Sequence, residues 1–336
     1  MRKWFRRIVL GVLALVLVAI AAGLSFEQWS RWRAGRDFPA PGQMVAFDGG
    51  RTHLACEGTG TPTVILESGF GAGGSEDWVK VQPAIAGQTR VCAYDRGGIM
   101  WSTPRGRPRD AAHIADELQA LLRAADEPGP YVMVGHSIGG ALVRVFTGRF
   151  PDEVVGLVFV DATPPGLMSR LPADMQAAMS AGPPAFLIRL LAATGVMRFG
   201  DPGIPEMWPD SARAAIRAML PLSVRGMHGE MAAMDDALAE AGAVTTLGNR
   251  PLVVLTAGKH PFPPSSGVSD SSIALMEQLW PEMQNELATL SSNADHRTIA
   301  SSNHYIQLDD PGAVIDAVAR VVRSVRDNVP LQHGAR

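Results

Sequence analysis

The chain has 336 residues, 46% of them apolar and 19% charged, with a formal net charge of −3. This composition supplies a large buried core and excludes general disorder. After the first seven positions Lys and Arg are scattered, which argues against a nucleic-acid surface, since that needs a concentrated basic patch.

In chain order, Arg2, Lys3, Arg6 and Arg7 precede an uncharged run from Ile8 to Leu24, broken in its apolar character only by Gly11 and Gly23. As a helix this run spans roughly 25 Å, against a hydrocarbon core of about 30 Å. The basic cluster keeps the N-terminus cytoplasmic, and Trp4, Phe5, Trp29 and Trp32 flank the run as aromatic residues flank membrane spans. A cleaved secretory signal competes, because Ala19-Ile20-Ala21 resembles a small-x-small cleavage site. The uncleaved transmembrane helix is preferred, because the run is longer than the core of a typical signal, about 7–15 residues. Segment 1–35 is therefore read as anchor or signal and 36–336 as one domain. That domain lies outside the cytoplasm, either membrane-anchored or secreted or periplasmic.

Arg31 to Pro41 reads as a polar, Pro-containing connector. Strand-like and helix-like patterns then alternate. Thr63–Glu67 is a short apolar run ending in the Gly-rich stretch 69–74, and Arg90–Tyr94 is another strand, closed by Asp95-Arg96-Gly97-Gly98. His113–Ala124 has helical spacing through Ile114, Leu118, Leu121 and Leu122. Tyr131–Val134 is a buried-type strand, Ile138–Phe150 a helix stopped by Pro151, and Val154–Val160 and Leu252–Leu255 are further strands. This alternation predicts an α/β fold, with a mostly parallel sheet and helices on both faces. The interval from about 163 to 248 breaks the rhythm. It has no clear strand and holds nine of the 15 methionines. Ser211–Leu220 and His228–Ala241 read as helices within it. It is read as a helical cap insertion whose methionines mostly fill the cap's own core, a few facing a ligand. Cys56 and Cys92 are either a bonded pair in an exported chain or two buried thiols.

The chemistry concentrates in Gly135-His136-Ser137-Ile138-Gly139-Gly140, which matches G-x-S-x-G between a strand and a helix. That context is the strand, sharp turn and helix of a nucleophile elbow. It sets the Ser137 hydroxyl at a helix N-terminus, where negative charge is favoured. A serine needs a base. His304 lies on a loop before a final helix that begins near Asp310-Pro311 and carries Val314, Ile315, Val318, Val321, Val322 and Val325 toward the core. It is the leading candidate, with His260 and His296 as alternatives. His53, His113 and His136 come too early in the chain or adjoin the serine, and His333 is in the polar tail. Backbone N–H groups of Ile138 and Phe70 would form the oxyanion hole. No phosphate-binding G-x-x-x-x-G-K-[ST] pattern occurs in the Gly-rich stretch.

Between about Gly42 and Val325 the chain resembles the α/β-hydrolase superfamily. Besides the elbow, the resemblance rests on Leu66-Glu67-Ser68-Gly69-Phe70-Gly71, Tyr94-Asp95-Arg96-Gly97-Gly98-Ile99-Met100-Trp101-Ser102, Gly156–Ala162 and His304–Asp309. It implies an eight-stranded sheet with a cap, and hydrolysis through an acyl-enzyme without metal or cofactor. Asn303 stands where such enzymes often have Gly. Many relatives carry the catalytic acid after the strand before the last, but here Leu252–Leu255 runs into Thr256-Ala257-Gly258-Lys259-His260-Pro261 with no carboxylate. Other members place it after the strand following the nucleophile helix, which is Asp161 here. Asp161 is therefore expected to orient His304, with Asp270, Glu277 and Asp295 as alternatives. The second and fourth strands of this superfamily are sheet neighbours, so the resemblance also makes a Cys56–Cys92 disulfide feasible, consistent with export. The serine implies hydrolysis of a small hydrophobic acyl substrate, an ester first, with amide, lactone or carbon–carbon bonds open to the same parts. A non-catalytic ligand-binding protein on the same scaffold is the rival reading. A membrane-attached scaffold is a third, with no docking motif to support it.

Overall fold

The computed structural model describes residues 2–180, 183–259 and 267–331. Eight strands form one sheet: β1 (Gln43–Phe47), β2 (Gly50–Glu57), β3 (Thr63–Glu67), β4 (Val91–Tyr94), β5 (Tyr131–His136), β6 (Val154–Val160), β7 (Leu252–Ala257) and β8 (Ala294–Ile299). Their order is β1-β2-β4-β3-β5-β6-β7-β8. The β1–β2 and β2–β4 pairs are antiparallel and all others parallel, so the sheet is mixed but mostly parallel. The central strands are buried throughout and mostly apolar because both of their faces are covered. Helices Ala111–Ala124 and Ile138–Arg149 cover one face, and Pro311–Asp327 covers the other. Asp310 caps that last helix by accepting from the Ala313 amide. Val314, Val318, Val321 and Val322 are buried as the spacing predicts, while Ile315 and Val325 are only half-buried.

Two strands, β1 and β8, were not assigned from sequence, and β2 was placed only through the family resemblance, as the strand carrying Cys56. β1, β2 and β8 are wholly or partly exposed, and β8 reads Ala-Asp-His-Arg-Thr-Ile, which has neither an apolar run nor clean alternation. Two helix readings also change. The N-terminal helix runs Arg2–Asp37 without a break, so Arg31–Asp37 is not a connector. Burial of Ala34 beside Trp208, Ala212 and Ile216, together with the i,i+4 pairs Glu27–Arg31 and Arg33–Asp37, keeps these turns helical. The segment His228–Ala241 is divided at Ala233 between helices Asp210–Ala232 and Met234–Ala243. The turn lets Ala237, Leu238 and Ala241 enter the core under the sheet.

Between β6 and β7 the described residues form five α-helices: Leu167–Arg170, Ala173–Ser180, Ala185–Ala193, Asp210–Ala232 and Met234–Ala243. Below them, Cys56 and Cys92 are direct cross-strand partners on β2 and β4 and are disulfide-bonded, their Cα atoms 4.0 Å apart. The bond closes a loop of 36 residues, for which chain entropy predicts a stabilisation of about 4 kcal/mol. Replacing both cysteines with alanine should lower Tm by roughly 10 °C. An unchanged Tm, with two thiols titrating in the unreduced wild type, would show the bond to be absent.

Candidate active site

The register of β5, β6 and β7 brings the site together. His136 on β5 pairs with Val160 on β6, and Val160 pairs with Leu255 on β7. The ladder continues one step further, with Ser137 N–H donating to the Val160 carbonyl at 3.1 Å and Asp161 N–H to Leu255 at 2.7 Å. Ser137 and Asp161 therefore leave adjacent strands side by side. Both hold positive φ, +54° and +43°, which is rare for residues with a side chain. At Ser137 the turn closes only because its neighbours are small. A Cβ on Gly135 would lie 2.5 Å from the Gly139 carbonyl oxygen, and one on Gly139 2.6 Å from the carbonyl oxygens of Glu67 and Ser68. The Thr163 hydroxyl lies 3.4 Å from the Ser137 hydroxyl.

His304 follows β8 and reaches back to Asp161, with Nδ1 2.6 Å from the carboxylate Oδ2. The Asp161 side chain is fully buried. Its other oxygen accepts from the indole N–H of Trp280 and from the backbone N–H of Ala257, each at 3.0 Å. The end of β7, which lacks a carboxylate, thus supplies an amide donor to the carboxylate on the next strand. His136 holds the His304 backbone: its Nε2–H donates to the His304 carbonyl at 2.9 Å. Burial, and next the nearby His304, push the His136 pKa well below the usual histidine range, so this ring stays neutral.

The other sequence candidates lie elsewhere. Asp270 and Glu277 are exposed on the helix Asp270–Ala288. Asp295 pairs with Arg297 and Arg320. His296 bonds Thr256 and Asn285. His260 and His333 fall outside the described residues. His53 makes a second buried His–Asp pair, with Asp95, but its Nε2 accepts from the Gly42 amide, so both ring nitrogens are occupied.

The loop after β3 abuts the serine. A Cβ on Gly69 would lie 3.1 Å from Ser137 Cβ. Arg96, fully buried, grips this loop: its guanidinium donates to the Ser68 and Gly69 carbonyls at 2.7 and 2.8 Å. A trans peptide directs its C=O and N–H oppositely. With the Gly69 carbonyl held by Arg96, the Phe70 N–H points away from the guanidinium. Arg96 also pairs with Glu67 on β3 and, through two bonds of 2.8 Å, with Glu230 on the cap helix Asp210–Ala232. Sequence reading missed this clamp. Arg96 stood within a quoted motif, but Glu230 is 134 positions away and no spacing links them.

Above the loop is a cavity of about 580 Å³, lined by Phe70, Ile188, Leu220, Val224 and five methionines, namely Met168, Met197, Met227, Met231 and Met234. His228 and Asp235 are its polar groups. More of the cap's methionines face this space than the sequence reading allowed. Met175 and Met219 are buried in packed clusters.

A family model described as alpha/beta hydrolase fold matches residues 62–194. An uncharacterized protein of Schizosaccharomyces pombe is 35% identical over 152 residues, 37% of this chain and 28% of that protein. One of Bacillus subtilis is 25% identical over 258 residues, 77% and 82% of the two chains. A 2-hydroxy-6-oxo-2,4-heptadienoate hydrolase of Pseudomonas putida is 36% identical over 128 residues, 36% of this chain and 44% of the enzyme. The chain thus spans less than half the length of two of these three curated relatives. Among solved structures, an epoxide hydrolase superposes with a TM-score of 0.62 at 21% identity, covering 84% of this chain and 97% of the other. A meta-cleavage product hydrolase of Pseudomonas fluorescens does so at 0.59 and 19%, covering 83% and 97%. The chain has the α/β-hydrolase fold.

A further carboxyl underlies the histidine loop. Asp77 is buried and accepts from the Trp208 indole at 3.3 Å, and Trp208 packs on Tyr305 beside His304. Burial pushes the Asp77 carboxyl up to about 7, against the Trp208 hydrogen bond and the attraction of Arg96. A raised folded-state pKa means stability that is fully present below the unfolded value of 3.8 and lost as pH rises through about 7. Asp77→Asn removes that loss. The Tm of the variant relative to wild type should therefore rise between about pH 5 and about pH 8. A constant difference would show that Asp77 does not take up a proton on folding.

Proposed function

We propose that the protein is a serine hydrolase that cleaves a hydrophobic carboxylic ester through an acyl-enzyme, with Ser137 as nucleophile, His304 as base and Asp161 as its orienting acid. The contact between His304 Nδ1 and the buried Asp161 carboxylate, beside a serine held at positive φ, carries this reading. An acceptor at Nδ1 keeps the proton there and leaves Nε2 free to take the Ser137 proton. The Phe70 and Ile138 amides are the proposed oxyanion donors. Ile138 opens the elbow helix, whose first N–H groups have no intrahelical partner. His304 passes the Ser137 proton to the departing alcohol as the ester C–O bond breaks, then takes one from the attacking water and returns it to the Ser137 oxygen as the carboxylic acid leaves. The chemistry needs no metal or cofactor. The apolar, methionine-lined cavity supports a hydrophobic acyl group as substrate.

The N-terminal helix is the one described helix long and apolar enough to cross a membrane. We read it as an anchor with Arg2, Lys3, Arg6 and Arg7 on the cytoplasmic side and the hydrolase domain outside. The Cys56–Cys92 bond supports an oxidising compartment.

A fluorophosphonate probe should label the wild type and not Ser137→Ala. Absence of wild-type labelling would favour a ligand-binding protein without turnover. Asp161→Asn should keep the bonds from Ala257 and Trp280 but turn an amide donor toward His304, forcing the proton onto Nε2. Turnover of a short p-nitrophenyl ester should then fall by about 10³–10⁴-fold with little change in Tm. Near-normal turnover would remove Asp161 from the mechanism.

A further inference from the structure

The cap carries a group of largely exposed apolar side chains. Phe186 is 71% exposed, Leu190 48%, Val196 50% and Phe199 78%. A soluble surface scatters such residues singly, whereas these fall within 14 positions on one helix, Ala185–Ala193, and the turn that follows it. They adjoin the N-terminal helix at a definite height. A Cβ on Gly23 would lie 2.8 Å from the Thr194 carbonyl, Phe26 stacks on Phe199 with ring centroids 5.2 Å apart, and Glu27 pairs with Arg198. Gly23 lies inside the uncharged run, and Glu27 is the first charge after it. Trp29 and Trp32, half-exposed or more, follow on the same helix with Arg33 and Arg36 over their rings, as at a membrane interface. Cap residues 194–199 therefore sit level with the point where the run enters the hydrocarbon.

We propose that the cap face formed by Phe186, Leu190, Val196 and Phe199 lies in the lipid layer beside the N-terminal helix, and that the cavity receives its ester substrate from the bilayer. The proposal rests on the anchor and serine-hydrolase readings above. The helix Ala185–Ala193 is the partition: Ala185 and Ile188 line the cavity, while Phe186 and Leu190 face outward. A substrate dissolved in lipid would cross one helix to reach the methionine-lined space without passing through water. Continuity with the membrane-spanning helix is what identifies lipid, rather than a second copy of the chain, as the occupant.

The test uses the full-length chain in phosphatidylcholine vesicles. A single cysteine carrying an environment-sensitive fluorophore is placed at Phe186, Phe199, Leu17 or Asp152, the native cysteines being disulfide-bonded. Doxyl-labelled lipid should quench Leu17→Cys, Phe186→Cys and Phe199→Cys, and aqueous iodide should quench only Asp152→Cys. Iodide quenching at both cap positions with lipid quenching at Leu17 would overturn the proposal and leave the anchor standing. Protection of the cap positions from both quenchers would overturn it in favour of a protein partner. Iodide access at Leu17 would overturn it together with the anchor reading. In parallel, the double variant Phe186→Ser with Phe199→Ser should lose about tenfold in turnover of a long-chain ester dissolved in the vesicles. It should keep its turnover of a soluble short-chain ester, which reports on Ser137 alone. Equal turnover of the vesicle-borne ester by variant and wild type would count against delivery through the cap.

Discussion

The carboxylate of Asp161 is a charge-bearing group with no access to water, and much of the site is arranged around meeting its needs. Burying such a group costs several kcal/mol unless hydrogen bonds replace its hydration. The replacements come from three parts of the chain: the amide ending β7, Trp280 in the middle of a helix, and the imidazole of His304 on the loop after β8. That helix also ties down the same turn through Gln284, which donates to the Ala162 carbonyl at 2.7 Å. Each donor is fixed by an element that packs for its own reasons. The position of His304 is thus a consequence of the fold's core, and His136, kept neutral by burial, adds a second restraint on its backbone.

A second buried charge performs a comparable task on the other side of Ser137. Arg96 satisfies its guanidinium with Glu67, Glu230 and the carbonyls of Ser68 and Gly69, and in doing so sets the orientation of the peptide that precedes Phe70. Because Glu230 belongs to the cap, the cap and the loop beside the serine share one ion-pair network. Breaking a buried pair by removing one partner costs about 3–5 kcal/mol, so the cap helix Asp210–Ala232 cannot swing away at its Glu230 end without a large penalty. In the helix Ala185–Ala193, by contrast, most side chains are exposed or half-buried.

How much of this was legible in the sequence follows from the range of the interactions. The elbow was readable because a strand, a sharp turn and a helix leave local marks: apolar run, small residues, apolar periodicity. The central strands were readable because both faces are buried. The edge strands β1 and β8 were not, since partial exposure removes the apolar run. The carboxylate that meets His304 was legible only as a choice among four residues, because what brings Asp161 there is the β5–β6–β7 register, a non-local fact. The clamp between Arg96 and Glu230 was invisible for the same reason. Arg31–Asp37 reads as a connector from sequence because its polar residues on a helix give the same local pattern as a loop. Their apolar partner, Ala34, contributes one buried side chain among charged neighbours, too little for a periodic signal.

The unbroken N-terminal helix has a structural consequence. A flexible connector would leave the domain free to tumble above a membrane, whereas an unbroken helix of 36 residues, about 54 Å long, transmits the direction of its apolar half into the domain. The helix is locked to the cap by Glu27 with Arg198, by Phe26 on Phe199 and by Ala34 in the cluster around Trp208. Trp208 in turn packs on Tyr305, the residue after His304. The orientation of the apolar helix and the geometry of the histidine loop are therefore joined by a short path of packed side chains. A segment that composition alone marks as a mere tether is, in three dimensions, part of the scaffold that holds the candidate site.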